Sequence, residues 1–125
     1  MKTGFVQWDN RIAPVFDTAG QIYILETKSG KIIGELQETL PADFPIQKTL
    51  RLVELGVDTL VCGAISRPMY QLLVAYGIRV IPFVTGDLQD VIQAWRTGTL
   101  MRDAFLMPGC RHHGGRRFRG GHDYF

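Results

Sequence analysis

Two short apolar runs, each passing through a glycine-containing turn into a helix start, constrain this chain more than anything else in it. Val57–Cys62 is apolar apart from Asp58 and Thr59, and Ile78–Phe83 is a second such run. Runs of this length suit strands covered on both faces. After the first, Ser66 is placed to N-cap a helix with Arg67 and Pro68 in its first turn, running to about Tyr76 and stopping at Gly77. After the second, Thr85-Gly86-Asp87 opens a helix to about Thr97, closed by Gly98. Parallel strands joined by helices need right-handed crossovers, which put helices on the faces of a sheet.

The first half reads differently. Thr3–Trp8 is a short strand, Asp9-Asn10-Arg11 has turn chemistry, and Ile12–Asp17 is irregular around Pro14. Gln21–Thr27 and Lys31–Leu36 are strands joined by a Lys28-Ser29-Gly30 hairpin. Thr39–Pro45 is a loop. Ile46, Leu50 and Val53, with Leu52, then fall at helical spacing before Gly56. The expected architecture is α/β: an antiparallel meander, then α-β-α-β-α, giving a five-stranded mixed sheet with helices packed on it.

Composition divides the chain in two. Residues 1–108 carry ten Lys/Arg against eleven Asp/Glu, and residues 109–125 carry four arginines against Asp123, so the overall +2 belongs to the tail. The reading is a domain over 1–108 and a Gly/Arg/His-rich tail over 109–125, disordered alone, since the tail has little to bury. No apolar run reaches the ~20 residues of a membrane span. The opening Met1-Lys2-Thr3-Gly4 lacks the apolar run and cleavage site of a signal peptide. The expectation is a cytoplasmic protein that does not engage a membrane, with Cys62 and Cys110 reduced.

In open α/β sheets, ligands bind beyond the carboxyl ends of the parallel strands. Two such ends are Cys62-Gly63-Ala64-Ile65-Ser66 and Val84-Thr85-Gly86-Asp87. Both put glycine and hydroxyl groups at a helix start, where free N–H groups and the helix dipole favour an anion. If the first strand neighbours the fourth, the Asp9–Asp17 loop supplies a third wall. The candidate pocket is therefore Asp9, Arg11, Asp17, Cys62, Gly63, Ser66, Thr85 and Gly86. The same residues also suit a structural role, with Gly63 and Gly86 in tight turns and Ser66 and Asp87 as caps.

Several segments occur in an order and spacing that resembles a known family. They are Arg11-Ile12-Ala13-Pro14-Val15-Phe16-Asp17-Thr18-Ala19, Gly56–Ser66, Gly77-Ile78-Arg79-Val80-Ile81-Pro82, Val84-Thr85-Gly86-Asp87 and Met107-Pro108-Gly109-Cys110. Together they resemble the dinitrogenase iron–molybdenum cofactor biosynthesis family, the NifX/NifB-type domain, over residues 3–110. The resemblance implies a three-layer ribonuclease H-like fold without nuclease activity. It also implies binding or carriage of an iron–sulfur or molybdenum-containing cluster, with a donor or acceptor metalloprotein as partner. Such clusters are anionic, in keeping with the helix starts above. Many members of that family have His-Phe where this chain has Val15-Phe16, and that histidine is a candidate cluster ligand; Val15 cannot coordinate a metal.

The soft and imidazole donors left are Cys62, then Cys110, His112, His113 and His122. Cys110-x-His112-His113 can supply two or three ligands from one short segment, although it is not a zinc-finger spacing. An alternative partner is nucleic acid. Gly114–Gly121 resembles an arginine–glycine tract in which arginines pair with phosphates and Phe118 and Tyr124 stack on bases. Enzyme activity is not expected. A metal-dependent nuclease needs clustered carboxylates, and the first strand has Phe5-Val6-Gln7 where one belongs. Cys62 and Ser66 have no histidine within 1–108 to act as base. Trp8, Trp95 and Phe83 read as core residues rather than as anchors for a partner.

Overall fold

The computed structural model describes residues 1–41 and 44–98. The expected domain boundary near residue 108 and the tail 109–125, with Cys110, His112, His113 and the arginine–glycine tract, lie outside the described residues.

Chain order is β1 (Lys2–Trp8), β2 (Arg11–Ile12), β3 (Gln21–Lys28), β4 (Lys31–Thr39), α1 (Pro45–Glu54), β5 (Thr59–Val61), α2 (Arg67–Ala75), β6 (Arg79–Ile81) and α3 (Leu88–Thr97). The sheet runs β4-β3-β1-β5-β6, with β2 paired to β1. The meander β1-β3-β4 is antiparallel; β5 lies parallel to β1, and β6 parallel to β5. The alternating residues of β1 and β3 divide the core. Val6, Ile22, Ile24 and Leu60 pack with Leu52 of α1 and with Met69 and Leu73 of α2. Phe5, Tyr23, Leu25 and Val61 pack with Leu88, Val91 and Ile92 of α3. The helices thus cover both faces, making three layers, and each fully buried Leu or Phe adds about 1.5–3 kcal/mol.

The expected count of five strands is corrected to six. Asp9 and Asn10 both take left-handed backbone, φ 53° and 61°. Two consecutive residues of this kind make the hairpin turn that matches strand twist. Arg11 and Ile12 therefore fold back beside Trp8 and Gln7 as a two-residue strand. A pair this short leaves no periodicity in the sequence. The third strand of the meander also runs on to Thr39, because Gln37, Glu38 and Thr39 pair with Tyr23, Ile22 and Gln21.

α1 departs from its expected orientation. Ile46, Leu50 and Val53 are exposed, whereas Lys48, Thr49 and Leu52 are buried. Lys48, Leu52 and Leu55 form their own i, i+4, i+7 stripe, and the lysine can lie in the seam because its amine finds acceptors there. The helix limits agree closely with the sequence. Ser66 and Asp87 are N-caps, and Gly98 closes α3 at φ 77°, a conformation costly for any residue with a Cβ. Close approach matters at Gly4, where an added Cβ would sit 2.6 Å from Ile22 Cδ1. Among the described residues, no helix is long and apolar enough to cross a membrane.

Candidate functional site

Because β1 neighbours β5, the loops after β1, β5 and β6 do converge at one end of the sheet. They do not leave an open bowl there. The Phe16 N–H donates to the Ala64 carbonyl at 2.8 Å, and the Ala64 N–H to the Pro14 carbonyl at 2.8 Å. The Phe83 N–H reaches the Gly63 carbonyl at 2.9 Å, and the Val84 N–H the Cys62 carbonyl at 2.9 Å. The Ile12 N–H donates to Gly86 O at 3.0 Å, and the Leu88 N–H to Asn10 O at 2.9 Å. Loop backbone groups thus extend the sheet and satisfy one another, as buried peptide groups must. Phe83 is held at φ 63° in this seam, an uncommon geometry for a bulky residue.

The candidate pocket residues separate into two groups and one outlier. Asp17, Cys62 and Ser66 form the first. Asp17 Oδ1 accepts from the Ser66 N–H at 2.9 Å, and Oδ2 from the Ser66 hydroxyl at 2.5 Å. Ser66 Oγ in turn accepts from the Met69 N–H at 3.3 Å. The start of α2 is thereby supplied with a carboxylate from within the chain. Asp87 does the same at α3, accepting from the N–H groups of Gln89 (3.1 Å) and Asp90 (3.3 Å). Both helix starts that could attract an anion already face one. Arg11 and Gly86 form the second group, beside Asp87, to which Arg11 is bridged in antiparallel register. Gly63 lies buried between the groups and Thr85 is half-buried beside Gly86, while Asp9 stands exposed at the hairpin tip.

Cys62 is fully buried, and burial first, then the nearby Asp17 carboxylate, push its thiol well above the usual range. Thiols in this state are unreactive and poor ligands, since the thiolate does the chemistry. In a Cys110→Ser variant we expect no labelling by a thiol reagent at mildly alkaline pH until denaturant is added. Full labelling of the native variant would show that Cys62 is accessible.

Lys48, absent from the candidate set, fixes the loop after β1. Only 1% of it is exposed, and its Nζ donates to the Phe16 carbonyl at 2.6 Å and the Asp17 carbonyl at 3.1 Å. The ammonium also sits 4.7 Å from the centroid of the Phe16 ring. The one sequence signal for it is the shared stripe with Leu52 and Leu55.

The space near the site lies on the far flank of that loop. A cavity of about 490 Å³ is lined by Gln7, Trp8, Pro14, Val15, Thr18 and Gln21, among others. An adjoining one of about 320 Å³ shares Gln7, Gln21 and Thr39 and adds Gln37 and Glu38. Trp8 is 65% exposed at the rim, so the expectation that it belongs to the core is corrected: it is the last residue of β1, at the end of the strand beyond the buried run Thr3–Gln7. Val15 is 41% exposed on the same wall. None of the eight candidate pocket residues lines either cavity. Among the described residues there is no group of three or more His, Cys, Asp or Glu side chains able to hold a metal ion.

The family model for the dinitrogenase iron-molybdenum cofactor matches residues 2–98, most of the chain. The chain belongs to that family. Solved structures agree on the fold. PH0822 is similar over 80% of this chain and 92% of its own, with a TM-score of 0.74 and 17% identity. A Thermotoga protein described as NifB is similar over 78% of this chain and 89% of its own, with a TM-score of 0.58 and 25% identity. The apo orange protein of Desulfovibrio gigas is similar over 79% of this chain and 89% of its own, with a TM-score of 0.63 and 17% identity. A comparison with curated proteins finds no match.

Proposed function

We propose that this family member binds an iron–sulfur or molybdenum-containing cluster as cargo, without catalysing a reaction, for exchange with a donor or acceptor metalloprotein in the cytoplasm. Family membership across residues 2–98 supports a cluster-related role. We read the fold as ribonuclease H-like, on its three layers and on a meander followed by two parallel strands. The observation that shapes the proposal is where the donors lie. Within the described residues the one cysteine is sealed in the core, and there is no histidine. The described residues therefore do not fit a ligated cluster by themselves. Cys110, His112 and His113 are the donors this reading requires.

The test is metal analysis of protein made anaerobically with iron, sulfide and molybdate supplied. Near-stoichiometric metal is expected in the full chain. Cys110→Ser and truncation after Pro108 should each remove most of it, and Cys62→Ala should leave it unchanged. Metal-free full-length protein under every loading condition would overturn the proposal, and so would full loading of the truncated chain.

A further inference from the structure

The fold limits how many thiolates this chain can offer a cluster. Of its two cysteines, Cys62 is fully buried. The Cys62 N–H donates to the Ile81 carbonyl at 3.1 Å, and the Cys62 carbonyl accepts from the Val84 N–H at 2.9 Å. Its side chain belongs to the core cluster with Val6, Phe16 and Met69. Bringing that thiol to a ligand would require the core to open. One thiolate per chain is left, Cys110, with His112 and His113 beside it in sequence. Iron–sulfur clusters are held by four protein ligands, either four cysteines or two cysteines with two histidines. A single copy falls short of both sets by at least one thiolate. Two copies supply two thiolates, and imidazoles enough to complete the second set. Cys110 follows Gly98, the last described residue, by twelve positions. A chain of that length reaches at most about 40 Å, so two copies can share ligands without burying a face of either domain.

From this ligand count we propose that the cargo is a cluster of two irons and two sulfides shared between two copies of this chain, each giving Cys110 and one of His112 and His113. The inference rests on the cluster-carrying function proposed above and adds the partner, a second copy. The positive charge of two ferric ions equals the negative charge of two sulfides and two thiolates, so assembly consumes no oxidant or reductant. Each Cys110 thiol gives its proton to solvent as its bond to iron forms, and the imidazoles bind neutral. Separation of the two chains halves the ligand set, which lets the cluster pass to an acceptor richer in thiolates.

The test loads the full chain anaerobically with ferric iron and sulfide and then removes small thiols. Iron, acid-labile sulfide and mass by light scattering are measured. About one iron and one sulfide per chain are expected, at twice the mass of the apo chain. Chelation should restore the apo mass. Pulsed EPR of the reduced cluster should show nitrogen couplings from coordinated imidazole. Cys110→Ser should bind no iron and keep the apo mass, whereas Cys62→Ala should load and double as the wild type does. Iron held at the apo mass, about two irons per chain, or no nitrogen coupling would overturn the shared site and leave cluster binding standing. Doubling indifferent to loading and to Cys110→Ser would overturn it as well. A full chain that takes up no iron under any condition would instead remove the function on which the inference rests.

Discussion

Lys48→Ala is expected to destabilise the protein by about 3–5 kcal/mol, the largest loss we foresee from a single polar residue. Two effects add. Truncation empties the buried space its four-carbon stem fills and removes the ammonium from over the Phe16 ring. It also takes the lysine donor from the Asp17 carbonyl, now at 3.1 Å, and from the Phe16 carbonyl, now at 2.6 Å, which keeps only the Ala19 N–H at 3.0 Å. Lys48→Met keeps most of the volume and should cost about 1–3 kcal/mol. Urea unfolding at constant m-value measures both. The titration of Lys48 adds a pH signature. Burial lowers its pKa from 10.5, and the Asp17 carboxylate opposes that shift without cancelling it. The unfolded chain thus keeps this proton to higher pH than the folded one. Below the folded pKa the lysine is charged in both states and the burial penalty is fully present. As pH rises from there toward 10.5 the penalty is relieved and stability increases. The stability of the wild type relative to Lys48→Met should therefore climb on the alkaline side. A flat or falling difference would mean that Lys48 is not buried as described.

Asp17→Ala is expected to cost about 2–3 kcal/mol, because it removes both acceptors of the Ser66 N–H and hydroxyl. Asp17→Asn retains one acceptor and should lose about half as much. Ser66→Ala breaks the same contact from the other side, so the double variant should fall short of additivity by about 1 kcal/mol. The Asp17→Ala variant also uncovers the start of α2. Sulfate or molybdate should then raise its Tm more than that of the wild type, since an anion can take the vacated place. Additive losses and equal salt responses would show that Asp17 does not occupy this helix start.

These two residues also mark where reading the sequence stops being enough. The parallel half was legible because its signals are local. Apolar runs of strand length, Ser66 and Asp87 at helix starts and Gly77 and Gly98 at helix ends act over three or four residues. The convergence of three loops followed from β1 lying beside β5, which the sequence allowed without requiring. The loops from which the sequence draws an anion pocket bond to one another through their backbones instead of standing open. From the sequence Asp17 reads as a wall of the pocket; in the structure it sits against Ser66 as the helix's own counter-ion. In α1 the apolar residues Ile46, Leu50 and Val53 were the stronger periodic signal, yet Lys48 took the buried seam. A lysine is excluded from a core only while its amine lacks acceptors, and here two carbonyls and an aromatic ring provide them.

The sequence by itself determined the α/β class, the order of the helices and of every strand but β2, the caps and the family, since each rests on short-range patterns or on their spacing. It also determined that every histidine and one of the two cysteines follow residue 108. Only the tertiary structure decided what the polar groups do. The bond from Ser66 to Asp17 spans 49 positions, and that from Lys48 to Phe16 spans 32. Hydrogen bonding in a folded chain is satisfied in space, by whichever partner packing brings within reach, and sequence patterns do not carry that pairing.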